Sequence, residues 1–352
     1  MVNPLDEANL RTRIQANLDD FIQSHIDLMA AIAPDTLELV NSLSALISGG
    51  KRLRPAFAYW GYRSADGTDS DSVVRACASL EFLQACALIH DDVMDASDTR
   101  RGKPATHKQF EALHQTQGWH GSSIGFGHGA AILIGDLALS WADEMLLTSG
   151  LAQDQLNRAK ATYDIMRSEL MAGQYLDLLE QARRGTTVAK AQNVIRYKSA
   201  KYTIERPLLI GAAIAHADES HMNVLSTFGL ALGEAFQLRD DVLGVFGNAE
   251  TTGKPAGDDL REGKQTVLMA LALDNKDYGH RISELMDVSE KTSDVISELQ
   301  ALISSSGALE QVEHIIDTQT TIALEALELP SISPDAREAL AALAVMSTQR
   351  SA

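Results

Sequence analysis

Leu88-Ile89-His90-Asp91-Asp92-Val93-Met94-Asp95 closes a strongly apolar stretch with three carboxylates, and its spacing decides how the chain is read. On an α-helix, Asp91 and Asp95 lie one turn apart on one face, with Asp92 beside them. Like charges packed so closely repel, and carboxylates at the end of an apolar helix need compensation. Hard, oxygen-seeking cations supply it: magnesium takes one or two carboxylates and fills its remaining positions with water and phosphate oxygens. A solvated helix end is the plainer reading of such a triplet taken alone.

Outward from this stretch, segment after segment carries apolar residues at three-and-four spacing, as in Leu18, Phe21, Ile22, His25 and Ile26, while strict alternation is scarce. Helices are expected over about 6–32, 35–48, 52–65, 71–96, 129–149, 152–183, 188–199, 201–217, 219–247, 265–274, 292–304, 306–328 and 333–350. The fold class is therefore all-α. Connections are short and composition does not shift, so 1–352 reads as a single domain. The segment 108–129, rich in Gly, His and Gln, is expected to be a loop or lid inserted over one end of the bundle. Its His114, His120 and His128 are irregularly spaced and read as polar loop residues, not as a metal site.

Composition sets limits on function. The 352 residues are 45% hydrophobic and 22% charged, enough for a sizeable core. Lys plus Arg is 30 against 48 Asp plus Glu, a net charge of −18, which argues against nucleic acid as a partner. Cys77 and Cys86 are the only cysteines, so no disulfide framework is indicated and a reducing, cytoplasmic setting fits. The N-terminal residues lack a secretion signal's apolar run, and apolar stretches such as 207–215 fall short of the ~20 residues that cross a bilayer. No transmembrane segment is expected.

A second acidic cluster, Phe236-Gln237-Leu238-Arg239-Asp240-Asp241, also ends an apolar helical segment. Two such ends facing each other across a cavity would clamp one diphosphate through shared metals. Cations stand nearby in sequence: Gly49-Gly50-Lys51-Arg52-Leu53-Arg54-Pro55 reads as an anion cradle, Arg100-Arg101-Gly102-Lys103 follows the first acids, and Lys198, Lys201, Lys254 and Lys264 add more. Each alone reads as a surface charge; together they read as phosphate sites in an acidic protein.

With these motifs in this order, from about Gly49 to Lys264, the sequence resembles the trans-isoprenyl (polyprenyl) diphosphate synthase family. Gly173-Gln174-Tyr175-Leu176-Asp177 belongs to the same pattern, and 108–129 with Tyr197-Lys198-Ser199-Ala200-Lys201-Tyr202-Thr203 is most similar to actinobacterial geranylgeranyl diphosphate synthases. The resemblance implies an isoprenoid synthase-type helical bundle around a central apolar cavity, and a homodimer. It implies head-to-tail condensation of isopentenyl diphosphate with dimethylallyl, geranyl or farnesyl diphosphate, and about three magnesium ions per site. Asp91, Asp95 and Asp240 would hold the metals, with Asp92, Asp241 and Asp259 helping through water. The allylic diphosphate would meet Arg100, Lys198 and Lys254; isopentenyl diphosphate would meet Lys51, Arg54 and Arg101, with Gln84 as a further donor. Ser199 replaces a usual Thr, Gln237 lies near the reacting carbons, and Lys264 completes the substrate-binding set. The second motif ends in Gly244 where the family usually has an acid.

Helix geometry orders the depth of the tail's path, Ala87 one turn below Asp91 and Leu83 or Gln84 two turns below, at about 5.4 Å per turn. Cys86 and Ala87 are small, which predicts growth past farnesyl to a geranylgeranyl product. A terpene cyclase and a non-catalytic partner subunit of a prenyl synthase are the rival readings; the isopentenyl-site cations and the retention of both acidic motifs oppose them.

Overall fold

A computed structural model of the chain describes residues 4–6, 9–183, 185–247, 257–329 and 331–348. They form two compact units, one of residues 1–59 with 67–157 and one of residues 60–66 with 158–352. The expected all-α character holds, the one sheet among the described residues being a two-stranded hairpin.

The first unit contains α1 (Leu10–Ile32), a 3-10 turn (Pro34–Thr36), α2 (Leu37–Ile47), the start of α3 (Leu53–Ser64), α4 (Asp71–Met94), β1 (Thr99–Arg100), β2 (Lys103–Pro104), α5 (Thr106–Thr116) and α6 (Ser123–Leu147). Ser70 starts α4 by accepting from the Val73 amide, and α4 packs chiefly along α6. Phe21, Phe82 and Trp141 form a three-ring core at centroid separations of 5.2–5.9 Å, each buried ring contributing about 1.5–3 kcal/mol. His25 stacks on Phe21 at 4.4 Å, with Nε2 3.1 Å from Glu144. By length and composition α4 could cross a bilayer, contrary to the expectation that apolar stretches fall short; 72% of its apolar window is buried, as in a core helix.

The expected loop at 108–129 is a helical hairpin instead: α5, a turn at 117–122, and α6 beginning at Ser123. Gly118 (φ 63°) ends α5 in a Schellman arrangement, its amide reaching the Gln115 carbonyl and the Trp119 amide the His114 carbonyl. Ser122 then caps α6, its Oγ accepting from the Gly125 amide at 3.1 Å. Of the Gly, His and Gln that suggested a loop, Gly118 is the stop of one helix, and Ser122 is the start of the next. At Gly127 the two helices touch backbone to backbone, since a Cβ there would lie 2.3 Å from the His107 carbonyl.

The second unit contains most of α7 (Gln153–Arg183), then α8 (Val188–Val194), a π-helix (Ile195–Glu205), α9 (Arg206–Ile214), α10 (Glu219–Phe246), α11 (Asp258–Glu262), α12 (Val267–Leu273), α13 (Gly279–Met286), α14 (Ser293–Ser305), α15 (Ala308–Ala326) and α16 (Pro334–Thr348). The two helices expected at 188–199 and 201–217 are one continuous helix whose middle is a π segment, shown by the Arg206 amide bonding the Lys201 carbonyl. A π-helix is wide, so its neighbours must yield space. Gly173 on α7 and Gly233 and Gly229 on α10 do so: a Cβ at these positions would lie 2.4, 2.5 and 2.7 Å from the backbone of Lys198, Ala200 and Glu205. The short helices α11 and α13 have too few turns to show a periodic pattern. Leu238, Val242 and Val245 of α10 pack with Leu268, Leu299 and Ile316 in one buried cluster.

Candidate active site

In the first unit, the apolar run of α4 carries Asp91 and Asp92 into the last turn and ends at Asp95. The helix stops in a Schellman arrangement, with the Ser97 amide on the Asp92 carbonyl and the Ala96 amide on Val93. Ala96 holds the left-handed position usually given to glycine (φ 53°). The chain then forms the hairpin of β1 and β2, whose two turn residues, Arg101 (φ 53°) and Gly102 (φ 71°), both have the positive φ of a type I′ turn. This turn fixes the direction of two arginines. Arg100 folds back on α4: its Nε donates to Asp92 Oδ1 at 2.9 Å and Oδ2 at 3.2 Å, its Nη2 donates to Oδ1 as well, and Nη2 lies 3.7 Å from Asp91. Asp92 is buried and Asp91 is partly open. Asp92 therefore positions Arg100 beside Asp91.

Arg101 points the other way. Its Nη1 donates to the Leu46 carbonyl at 3.0 Å, and its guanidinium fills the space over Gly50, where a Cβ would lie 2.9 Å from Nη2. Burial lowers its pKa, and Arg52, Arg100 and Arg54 lower it further against the opposing pull of Glu81. Four guanidiniums thus share one neighbourhood, a field that favours an anion. Arg52, also left-handed (φ 55°), is buried and donates to Glu81, Gln15 and the Ile47 carbonyl. It anchors the loop so that exposed Lys51 and half-buried Arg54 are presented from a fixed base. On α4, Gln84, Ala87, Leu88 and Asp91 form one partly open strip at three-and-four spacing. Leu83 and Cys86 face inward: Leu83 is fully buried, and the Cys86 thiol lies 3.7 Å from His90 Nδ1 with its pKa pushed up to about 12 by burial and, secondarily, by Asp136.

In the second unit, Gly173 brings α7 against the π-helix backbone, and one turn on, Asp177 accepts from Lys198 Nζ at 2.6 Å. Ser199 follows Lys198 on the same π-helix. Lys201 donates to Glu169 at 2.6 Å, and Arg206 binds the same carboxylate through two nitrogens at 2.7 and 2.8 Å. The residues joining these partners span 169 to 206, so each pairing depends on tertiary approach. Asp177 and Glu169, the carboxylates that hold these cations, are residues to which the sequence reading assigned no role. Asp177 stands inside the Gly173–Asp177 motif, where a glycine-to-acid spacing of one helical turn is the available signal.

Asp240 and Asp241 lie in the last two turns of α10. Asp241 is buried; Gln237 Nε2 donates to its Oδ1 at 2.8 Å, so Gln237 is engaged by the acid cluster. Burial, with Asp259 adding to it, raises the Asp241 pKa to about 8, against the opposing effects of Gln237 and Lys264. Asp259 sits where a side chain at 244 would be: a Cβ on Gly244 would lie 1.9 Å from Asp259 Oδ2. The carboxylate missing from position 244 is thus replaced in space by one from α11, which Lys264 Nζ holds at 3.1 Å while also lying 3.0 Å from Glu262. Lys254 lies outside the described residues.

Both acid groups suit magnesium. Asp91 and Asp95 offer oxygen donors one turn apart, and the Asp241–Asp259 pair carries a repulsion that a cation relieves. Within each unit the structure brings the expected residues together: Arg100 with Asp91 and Asp92, Arg101 with the Gly49–Gly50 turn, Gln237 with Asp241, and Lys264 with Asp259.

Comparison with known proteins supplies the family. Residues 37–303 match the polyprenyl synthetase family. A geranylfarnesyl diphosphate synthase of Aeropyrum pernix is 32% identical over 91% of this chain and 96% of its own length, and a short chain isoprenyl diphosphate synthase of Methanothermobacter thermautotrophicus is 32% identical over 89% and 90%. Among solved structures, a geranylgeranyl pyrophosphate synthase from Corynebacterium glutamicum, complexed with isoprenyl diphosphate and magnesium, shares 41% identity at a TM-score of 0.94, covering 97% of this chain and 99% of that one. A match over most of its length, with the helical fold shared throughout, places this chain in the polyprenyl synthetase family.

Proposed function

We propose that the protein condenses isopentenyl diphosphate head-to-tail with an allylic diphosphate, and that geranylgeranyl diphosphate is its product. The observation that carries this reading is the pairing of Arg100 with Asp92, which sets a cation 3.7 Å from the Asp91 carboxylate at the end of α4. Asp91, Asp95 and Asp240, with Asp92 and Asp241 in support, are the groups to hold magnesium; bound there, magnesium neutralises charge on the diphosphate that departs. Arg100, Lys198, Lys264 and Lys254 complete the allylic diphosphate's charge balance, with Ser199 as a hydroxyl donor. The four-arginine neighbourhood with Lys51, Arg54 and Arg101 takes isopentenyl diphosphate, and Gln84 on the open strip of α4 donates to the same group.

The chemistry is ionisation, condensation and elimination. The allylic C–O bond breaks to leave a carbocation and a diphosphate, the isopentenyl double bond attacks the cation, and the resulting tertiary cation loses a proton to the departed diphosphate. The protein's residues act by fixed charge and by holding both substrates in place. Gln237 directs its amide at the acid cluster, and Ala87 puts a small side chain on the open strip of α4, one turn below Asp91. Exposed Ile132 and Leu133 on α6 support a homodimer, since adjacent apolar side chains on a helix surface are unfavourable in water. A cytoplasmic location agrees with two buried, reduced cysteines.

Purified protein incubated with magnesium, labelled isopentenyl diphosphate and each allylic starter should form chain-extended diphosphates ending at geranylgeranyl. Cyclised product without isopentenyl incorporation, no turnover at all, or full turnover by the Asp91→Ala/Asp240→Ala double variant would each overturn the proposal.

A further inference from the structure

The α5–α6 hairpin carries a surface that the proposed chemistry does not use. Between Glu111 and Asp136 the chain runs for 24 residues, 112–135, without one Asp, Glu, Lys or Arg, in a protein of net charge −18. At the tip of the hairpin, Trp119, Ile124 and Phe126 are 47%, 54% and 39% exposed. They are held out rather than left loose. The Gly118 Schellman turn fixes Trp119 against His114 at 6.0 Å and Phe126 at 5.2 Å, both edge-on, and the Ser122 cap fixes the first turn of α6 that presents Ile124. Small residues, Gly118, Gly121, Ser122, Ser123 and Gly125, make up much of the rest of the tip, with exposed Gln117 and His120 as its polar side chains.

We infer that this tip docks the enzyme on a lipid bilayer, with Trp119, Ile124 and Phe126 entering the headgroup boundary. A tryptophan beside aliphatic and aromatic neighbours suits that boundary, where the ring's apolar body and its N–H are both accommodated. Charge selects the same occupant. An anionic lipid surface repels most of an acidic protein but not a tip devoid of carboxylates. The inference does not require the product to be known, although a long isoprenoid tail is itself a molecule that leaves water for a bilayer.

The protein carries its own probe. Its other tryptophans, Trp60 and Trp141, are 2% and 4% exposed, so Trp119 is the tryptophan that lipid can reach. Full-length protein without substrate is titrated with vesicles of phosphatidylcholine and phosphatidylglycerol, with and without brominated acyl chains. Tryptophan emission should shift to the blue and be quenched by the brominated lipid; Trp119→Phe should abolish the quenching, and Ile124→Asp should weaken vesicle binding at least about ten-fold with the circular dichroism spectrum unchanged. Absence of quenching at saturating lipid overturns the inference, as does quenching that persists in Trp119→Phe. Concentration-dependent self-association that Ile124→Asp removes, with no lipid quenching, assigns the tip to a second copy of the chain and also overturns it. Because the readout needs no turnover, its failure is separate from any failure of the prenyl-transfer reading.

Discussion

Replacing Gly173 with alanine places a Cβ 2.4 Å from the Lys198 amide nitrogen, 2.6 Å from the Tyr197 carbonyl carbon and 2.8 Å from the Lys198 Cα. Ordinary contact begins near 3.4 Å, so the shortfall is about 1 Å, and every atom met is backbone. No side-chain rotation relieves it; α7 must separate from the π-helix. Such overpacking costs about 1–3 kcal/mol. The same displacement loosens Lys198 from Asp177, now 2.6 Å apart, and a ~1 Å error in a group that positions substrate costs about 10²-fold in rate. We expect kcat/KM for farnesyl diphosphate to fall by that order, with KM for the allylic substrate rising more than KM for isopentenyl diphosphate, in a radiometric chain-extension assay. Gly129→Ala is the control, since a Cβ there meets nothing within 4 Å and the site is an exposed helix position; it should stabilise by about 0.5–1 kcal/mol. Wild-type kinetics together with a wild-type unfolding midpoint for Gly173→Ala would refute the argument that glycines make room for the π-helix.

Restoring the usual acid by Gly244→Asp should harm the protein, because its Cβ would collide with Asp259; a loss of about 1–3 kcal/mol is expected in urea unfolding, and adding Asp259→Gly to the same chain should recover part of it. Strictly additive effects of the two changes would show that the two side-chain sites are independent. For Asp241, the folded pKa of about 8 exceeds the ordinary 3.8, so its contribution to metal-free stability is complete below 3.8 and is lost as pH rises to about 8. Asp241→Asn removes that dependence: thermal midpoints without magnesium should fall less than in wild type between pH 4 and 8, and equal slopes would contradict the assignment. Ala87→Phe adds a ring to the open strip of α4 and should shorten the product, read by chromatography of the dephosphorylated alcohols; an unchanged chain length would remove Ala87 from the tail's path.

Much of the helical skeleton was legible because its signal is local. Apolar spacing along α1, α4 and α10 and the one-turn separation of Asp91 and Asp95 follow from a helix's own periodicity. The hairpin at 108–129 is hidden for an equally local reason: Gly118 and Ser122 mark the end of one helix and the start of the next, and a stretch rich in Gly, His and Gln carries the same composition as a loop. The π-helix was read as two helices because one sequence spacing serves both 3.6 and wider turns, and only the glycines at 173, 229 and 233 record that a wider helix must be accommodated.

The site divides in the same way. Sequence alone determined which residues carry charge and metal-seeking oxygens, since those properties belong to residue types and short spacings. Tertiary structure alone decided which charges meet: Arg100 with buried Asp92, Arg52 with Glu81, Lys198 with Asp177, and Asp259 in the space left by Gly244. The partners in these pairs are 8, 29, 21 and 15 positions apart, and whether two such side chains touch depends on how helix backbones pack, which no local pattern encodes.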